Sequence, residues 1–174
     1  MLLLFLVTSE TVAANIKSYE DYTGKRTYSI TYTKSSSIFS FNNHYKITTI
    51  FNSIYEKDSI LAVKKITLKY YSDQNDIILI RPTINFIIDD KLWRVSSTAN
   101  CTINSDGVIQ FSWAIPDDVV NSFMETEKAI LVRFFYNTPE GDRFRDYTIP
   151  YKTIELVQSM YLQKIEPVNS VLTE

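Results

Sequence analysis

DIILIRPTINFIID, residues 76–89, sets Ile78, Ile80, Pro82, Ile84, Phe86 and Ile88 on even positions. Successive side chains of a β-strand point to opposite faces, so this spacing lines one face of an extended chain. A helix, turning 3.6 residues at a time, would scatter the same residues around its circumference. Pro82 interrupts the run. It has no N–H to give to a ladder, so the strand is expected to bend, bulge or lie at a sheet edge there.

The same rhythm extends to both sides of that stretch. TYSITYT puts Tyr28, Ile30 and Tyr32 opposite Thr27, Ser29, Thr31 and Thr33, and AVKKITLKYY puts Ile66, Leu68 and Tyr70 opposite Lys65, Thr67 and Lys69. HYKITTIFNSIY is apolar on both sides, Ile47 and Phe51 against Ile50 and Ile54, which predicts a central strand covered twice. KLWRVSS and VIQFSWAI follow, with Ile109, Phe111, Trp113 and Ile115 in phase, and the NSDG between them reads as the turn of a hairpin joining the two. That reading places Trp93 and Trp113 on neighbouring strands. AILVRFFY and RFRDYTI flank NTPEGD, where Pro139 and Gly141 mark a longer hairpin turn.

Two helices are predicted within this series, at about 116–127 and 150–163. The first opens with Pro116, whose missing N–H costs nothing at a helix start, and carries Asp117 and Asp118 where carboxylates meet the positive end of the dipole. Its apolar face is Val119, Val120, Phe123 and Met124. The second starts at Pro150, with Ile154, Val157 and Tyr161 spaced by three and four. Both follow the same Ile-Pro junction, at Ile115-Pro116 and Ile149-Pro150, and read as strand-to-helix corners. The expected fold class is all-β, a mainly antiparallel sandwich with two short helices. It is immunoglobulin-like in architecture only, since the cysteine–tryptophan–cysteine core of antibody domains is absent.

Composition narrows the function. The chain has 174 residues with 45% hydrophobic content, within the range of one domain. Eighteen basic against 20 acidic residues leave a net charge of −2 and no basic field, which disfavours nucleic acid as a partner. The opening MLLLFLVTSETVAAN has the short apolar run and small-residue site of a signal peptide, without the basic residues that normally precede the run. Residues 1–14 are therefore expected to be a leader, 15–165 one sandwich domain, and 166–174 a flexible tail. The apolar run is shorter than the about 20 residues that span a bilayer, and no transmembrane segment is expected in the mature chain.

Reactive residues are few. His44 is the only histidine and Cys101 the only cysteine, which excludes an intrachain disulfide and any multi-cysteine metal site. No G-x-S-x-G elbow is present, so a hydrolase using His44 ranks last. The acid pairs Asp89-Asp90 and Asp117-Asp118 are explained by a turn and a helix start. SDQND, residues 72–76, lacks the glycine and distal glutamate of a calcium loop. The NCT at Asn100 is a formal glycosylation acceptor. No cofactor and no metal are expected.

Binding is the remaining class. Trp113 alternates in phase with apolar neighbours and belongs to the core, whereas Trp93 shares a face with Lys91 and Val95 and is a rim candidate. RFRDY offers Arg143, Arg145 and Tyr147 as a charged strip on an edge strand, where a partner adds a strand or charges prevent one. The expected function is that of an exported, non-catalytic binding or assembly module, extracytoplasmic (periplasmic or secreted). Its partner is another protein or a cell-envelope component. The alternative is a carbohydrate-binding module using Trp93 with the tyrosines at 19, 22, 28 and 32.

Overall fold

The computed structural model describes residues 16–22, 24–35, 45–55, 63–72, 79–99 and 101–162. The leader at 1–14, the turn at 73–76, His44, Asn100 and the tail at 166–174 lie outside the described residues. In chain order the elements are β1 (Ile16–Glu20), β2 (Arg26–Ser35), β3 (Tyr45–Tyr55), β4 (Val63–Ser72), β5 (Leu79–Ile88) and β6 (Lys91–Ser96). They continue with β7 (Thr102–Ile103), β8 (Ile109–Ala114), α1 (Asp117–Glu125), β9 (Ile130–Thr138), β10 (Gly141–Ile149) and α2 (Tyr151–Tyr161). Two antiparallel sheets result, one ordered β1-β2-β3-β4-β8-β7 and the other β10-β9-β5-β6.

Alternation decides which face of each strand is buried. Ile66, Leu68 and Tyr70 of β4 pair with Trp113, Phe111 and Ile109 of β8, and all six are buried. Ile130, Val132, Phe134 and Tyr136 of β9 and Ile80, Ile84, Phe86 and Ile88 of β5 line the facing sheet. Together they make one core. β3 is central, between β2 and β4, with Ile47 and Phe51 inside. Its other face departs from expectation: Ile50 and Ile54 are half-buried, because Ile50 lies between Thr31 and Thr67 in the ladder, and these short neighbours cover it only in part.

The bulge expected at Pro82 is present. Pairing of β5 with β9 steps from Ile80↔Tyr136 to Ile84↔Phe134, so three β5 residues stand against one of β9. The Pro82 carbonyl accepts the indole N–H of Trp113 at 2.8 Å and the backbone N–H of Ser97 at 2.9 Å. The first of these ties the two sheets. On the far side Tyr32 donates its hydroxyl to the Thr148 carbonyl at 2.9 Å, and the Thr49 and Tyr147 hydroxyls bond at 2.8 Å.

Both helices begin where predicted. Pro116 and Pro150 occupy the N-cap positions with extended backbones, and their carbonyls accept from Val120 and from Thr153 and Ile154. Val119, Val120 and Phe123 are buried from α1, and Thr153, Ile154, Val157, Met160 and Tyr161 from α2. Phe123 meets Phe51 of one sheet and Phe86 of the other edge-on, with centroids 6.2 and 5.4 Å away. The Gln158 side-chain amide of α2 donates to the Phe123 and Thr126 carbonyls at 2.9 and 2.8 Å, satisfying acceptors that α1 leaves open at its end.

Two connections differ from expectation. The turn at Asn104–Gly107 joins β7 to β8, while β6 belongs to the other sheet, so Trp93 and Trp113 lie on opposite sheets rather than on neighbouring strands. The turn itself is as read: the Asn104 Oδ1 accepts from Asp106 and Val108, and Gly107 takes φ 72°. A turn motif fixes only its own closure, and the strand before it here has two residues. The β9–β10 turn is also tighter than expected. Thr138 pairs with Gly141, leaving only Pro139 and Glu140 in the loop, and Gly141 adopts φ 119°.

Asp89 and Asp90 close β5 to β6 with φ 48° and 65°, a left-handed pair that disfavours any side chain but suits the strand twist. Asp90→Gly is expected to raise unfolding stability by roughly 1 kcal/mol in urea titration. Trp113 is fully buried, and Trp113→Phe, which empties volume and removes the bond to Pro82, is expected to lower stability by about 2–4 kcal/mol on the same assay.

Candidate interaction edge

β10 borders the four-stranded sheet and pairs only with β9, so one side of its backbone is without a strand partner among the described residues. Its odd residues stand opposite the buried Tyr136, Phe134 and Val132 of β9 and face inward. Burial falls along that row. Ile149 and Tyr147 are in the core, Arg145 is half-buried and Arg143 is exposed.

Tyr147 therefore is not part of an exposed strip. It is 2% exposed, its hydroxyl is committed to Thr49, and burial pushes its pKa well above the ordinary tyrosine range against the Thr49 bond. The charged neighbours in sequence belong to the other face or to the strand's beginning. Arg143 is on the surface, where its guanidinium pairs with Glu140 at 3.2 Å.

Arg145 occupies the position between. Its guanidinium carbon lies 4.1 Å from the centre of the Tyr45 ring and 5.6 Å from that of Tyr70. Tyr70 is stacked with Tyr45 on one side and Tyr136 on the other, at 6.4 and 6.3 Å. Burial pulls the Arg145 pKa down, and Tyr70, Tyr136 and Tyr45 more than offset it, so the group stays charged.

The even residues of β10 build the outer face. Asp142 receives Arg81 at 2.7 and 2.6 Å, and Asn137 also donates to it. Asp146 receives Arg133 at 2.7 Å on each oxygen. Between these pairs the Phe144 ring lies 6.5 Å from Phe135, with the Arg133 guanidinium 4.1 Å from its centre, and it remains 54% exposed. This side of the strand is an aromatic surface bracketed by closed ion pairs.

Trp93 is on β6, at the opposite edge of the same sheet. It packs against the core beside Phe86, its Nε1 is buried without a hydrogen-bond partner, and the Lys91 ammonium lies 3.7 Å over its ring. One face of the ring is thus covered by a cation. Tyr19 and Tyr22 are 69% and 100% exposed, but Tyr28 is half-buried and Tyr32 is in the core. β1 and β6 border different sheets, so Trp93 and these tyrosines share no platform.

The remaining reactive groups are dispersed. Cys101 is half-buried, and burial raises its pKa, disfavouring the thiolate. Asp118 accepts the Val119 N–H at 2.9 Å at the start of α1. Asp89 lies 3.6 Å from Lys128. Among the described residues no three His, Cys, Asp or Glu side chains converge as metal ligands, and no helix is long and apolar enough to cross a membrane.

The Arg133 hydrogen bonds hold the Asp146 carboxyl below its ordinary range, with burial opposing. A depressed folded pKa adds stability that is complete above the unfolded carboxylate value, about 3.9, and is lost as pH falls through the folded value. The stability difference between the natural protein and Asp146→Asn is expected to be constant above that value and to shrink below it. Urea midpoints measured from pH 7 down to 2 check this, and a difference that persists unchanged to pH 2 would contradict it.

No protein-family model, curated protein or solved structure matches this chain.

Proposed function

We propose that the protein is an exported, non-catalytic β-sandwich that acts as a binding or assembly module, meeting another protein or cell-envelope component along β10. The carrying observation is a nine-residue edge strand, one side of which is unpaired among the described residues, with the exposed Phe144 on its outer face. An extended segment gains main-chain hydrogen bonds by adding to such an edge, and an exposed ring gives it an anchor. The ion pairs of Arg81, Arg133 and Arg143 are all satisfied within the protein, so they shape the surface without demanding charged partners. The leader read at 1–14 supports an extracytoplasmic location, periplasmic or secreted.

The full-length protein with a photo-crosslinking phenylalanine analogue at position 144 tests the edge, with the same analogue at Tyr71 as control. An adduct with a discrete partner in the extracytoplasmic fraction is expected at 144 and not at 71, together with an N-terminus at Asn15. Phe144→Asp is expected to weaken capture about tenfold, the loss of one anchoring side chain. Equal adducts at both positions, or none at 144, would remove the edge from the function, and an intact Met1 in the cytosol would remove the export.

A further inference from the structure

Four of the described arginines pair with carboxylates: Arg26 with Glu20, Arg81 with Asp142, Arg133 with Asp146 and Arg143 with Glu140, at 2.7, 2.6, 2.7 and 3.2 Å. Arg94 is exposed and hydrated by bulk water. Arg145 differs from all five. It is half-buried between the sheets, no described carboxylate lies within ion-pair distance, and its Nε is buried without a hydrogen-bond partner. A charge withdrawn from water ordinarily has a counter-ion, and here rings stand in its place.

We propose that Arg145, with Tyr45, Tyr70 and Tyr136 around it, is a binding site for a carboxylate group. The rings hold the guanidinium by its face. A guanidinium carries its N–H donors in its own plane, in the fork that matches the two oxygens of a carboxylate. The charge count selects the ligand class. One cation without a counter-ion among the described residues balances a monoanion, whereas a phosphate dianion needs a second cation, and Arg143, two residues along the same face, is already neutralised by Glu140. The carboxylate comes either from a small free acid or from an acidic side chain of a polypeptide lying along β10. The site stands apart from strand addition, because a free acid can occupy it with the edge empty.

Arginine side-chain NMR on the full-length protein tests it, following the Nε–Hε signal of Arg145. The titrants are sodium acetate, inorganic phosphate, a blocked extended peptide with a single glutamate, and sodium chloride at matched ionic strength. Acetate is expected to move the signal saturably with a millimolar dissociation constant, while those of Arg94 and Arg143 follow chloride. Tighter binding of the peptide supports the site with a polypeptide source, and equal binding supports it with a free acid. Arg145→Lys, checked as folded by its amide spectrum, is expected to bind acetate at least tenfold more weakly. No saturable movement, the same movement at Arg94, or tighter binding of phosphate than of acetate would overturn the assignment. The wild-type titration decides the matter even if the variant fails to fold, and it is read independently of the crosslink at position 144.

Discussion

The two layers of this sandwich are tied at one interruption of strand register, at Pro82. A strand in regular register between two neighbours gives its backbone polar groups to their ladders. Beside the bulge against β9, the Pro82 carbonyl receives Trp113 from the facing sheet and Ser97 from the segment leaving β6. Apolar packing alone is indifferent to small sliding of one sheet over the other. A hydrogen bond from a buried indole is not, because an orphaned indole N–H in the core carries a desolvation penalty. The bonds of Tyr32 to Thr148 and of Thr49 to Tyr147 fix the opposite side, so the two layers are registered at both ends of their overlap.

Phe123 closes the space between those ties. α1 follows β8 and α2 follows β10, one from each sheet, and each starts on a proline that ends the ladder and presents its carbonyl to the new helix. The rings of Phe51 and Phe86, one per sheet, receive Phe123 edge-on, and Gln158 of α2 closes the end of α1. The repeated Ile-Pro junction thus has a structural reason. Each sheet sends one helix inward, and the two meet.

Local rhythm was legible in the sequence, and sheet membership was not. Parity alone places Ile66, Leu68, Tyr70, Phe111 and Trp113 inside, marks the bulge at Pro82 and locates both helices within two residues. Which sheet a strand joins is a non-local matter. β6 and β8 have the same alternation and a strong turn signal between them, yet they separate into different layers. Tyr147 is a case where the signal was present but outweighed: it shares parity with Ile149, while its charged neighbours in RFRDY suggested a surface strip. The tyrosines around Arg145 come from β3, β4 and β9, far apart in the chain, and no local pattern brings them together.

Along the inner row of β10, the environment changes by degrees from aliphatic at Ile149, through aromatic at Tyr147, to aromatic and cationic at Arg145, and to water at Arg143. A sandwich that only needed to close this end would place another apolar residue opposite Phe134. An arginine there loses hydration and receives ring quadrupoles in return, a weaker exchange than the carboxylate pairs made elsewhere on the same molecule. The outer row of β10 shows that the fold has carboxylates to place beside its arginines, since Asp142 and Asp146 each receive one. The inner row supplies none at Arg145. The charge is therefore held by rings of the core itself, on a strand that borders its sheet.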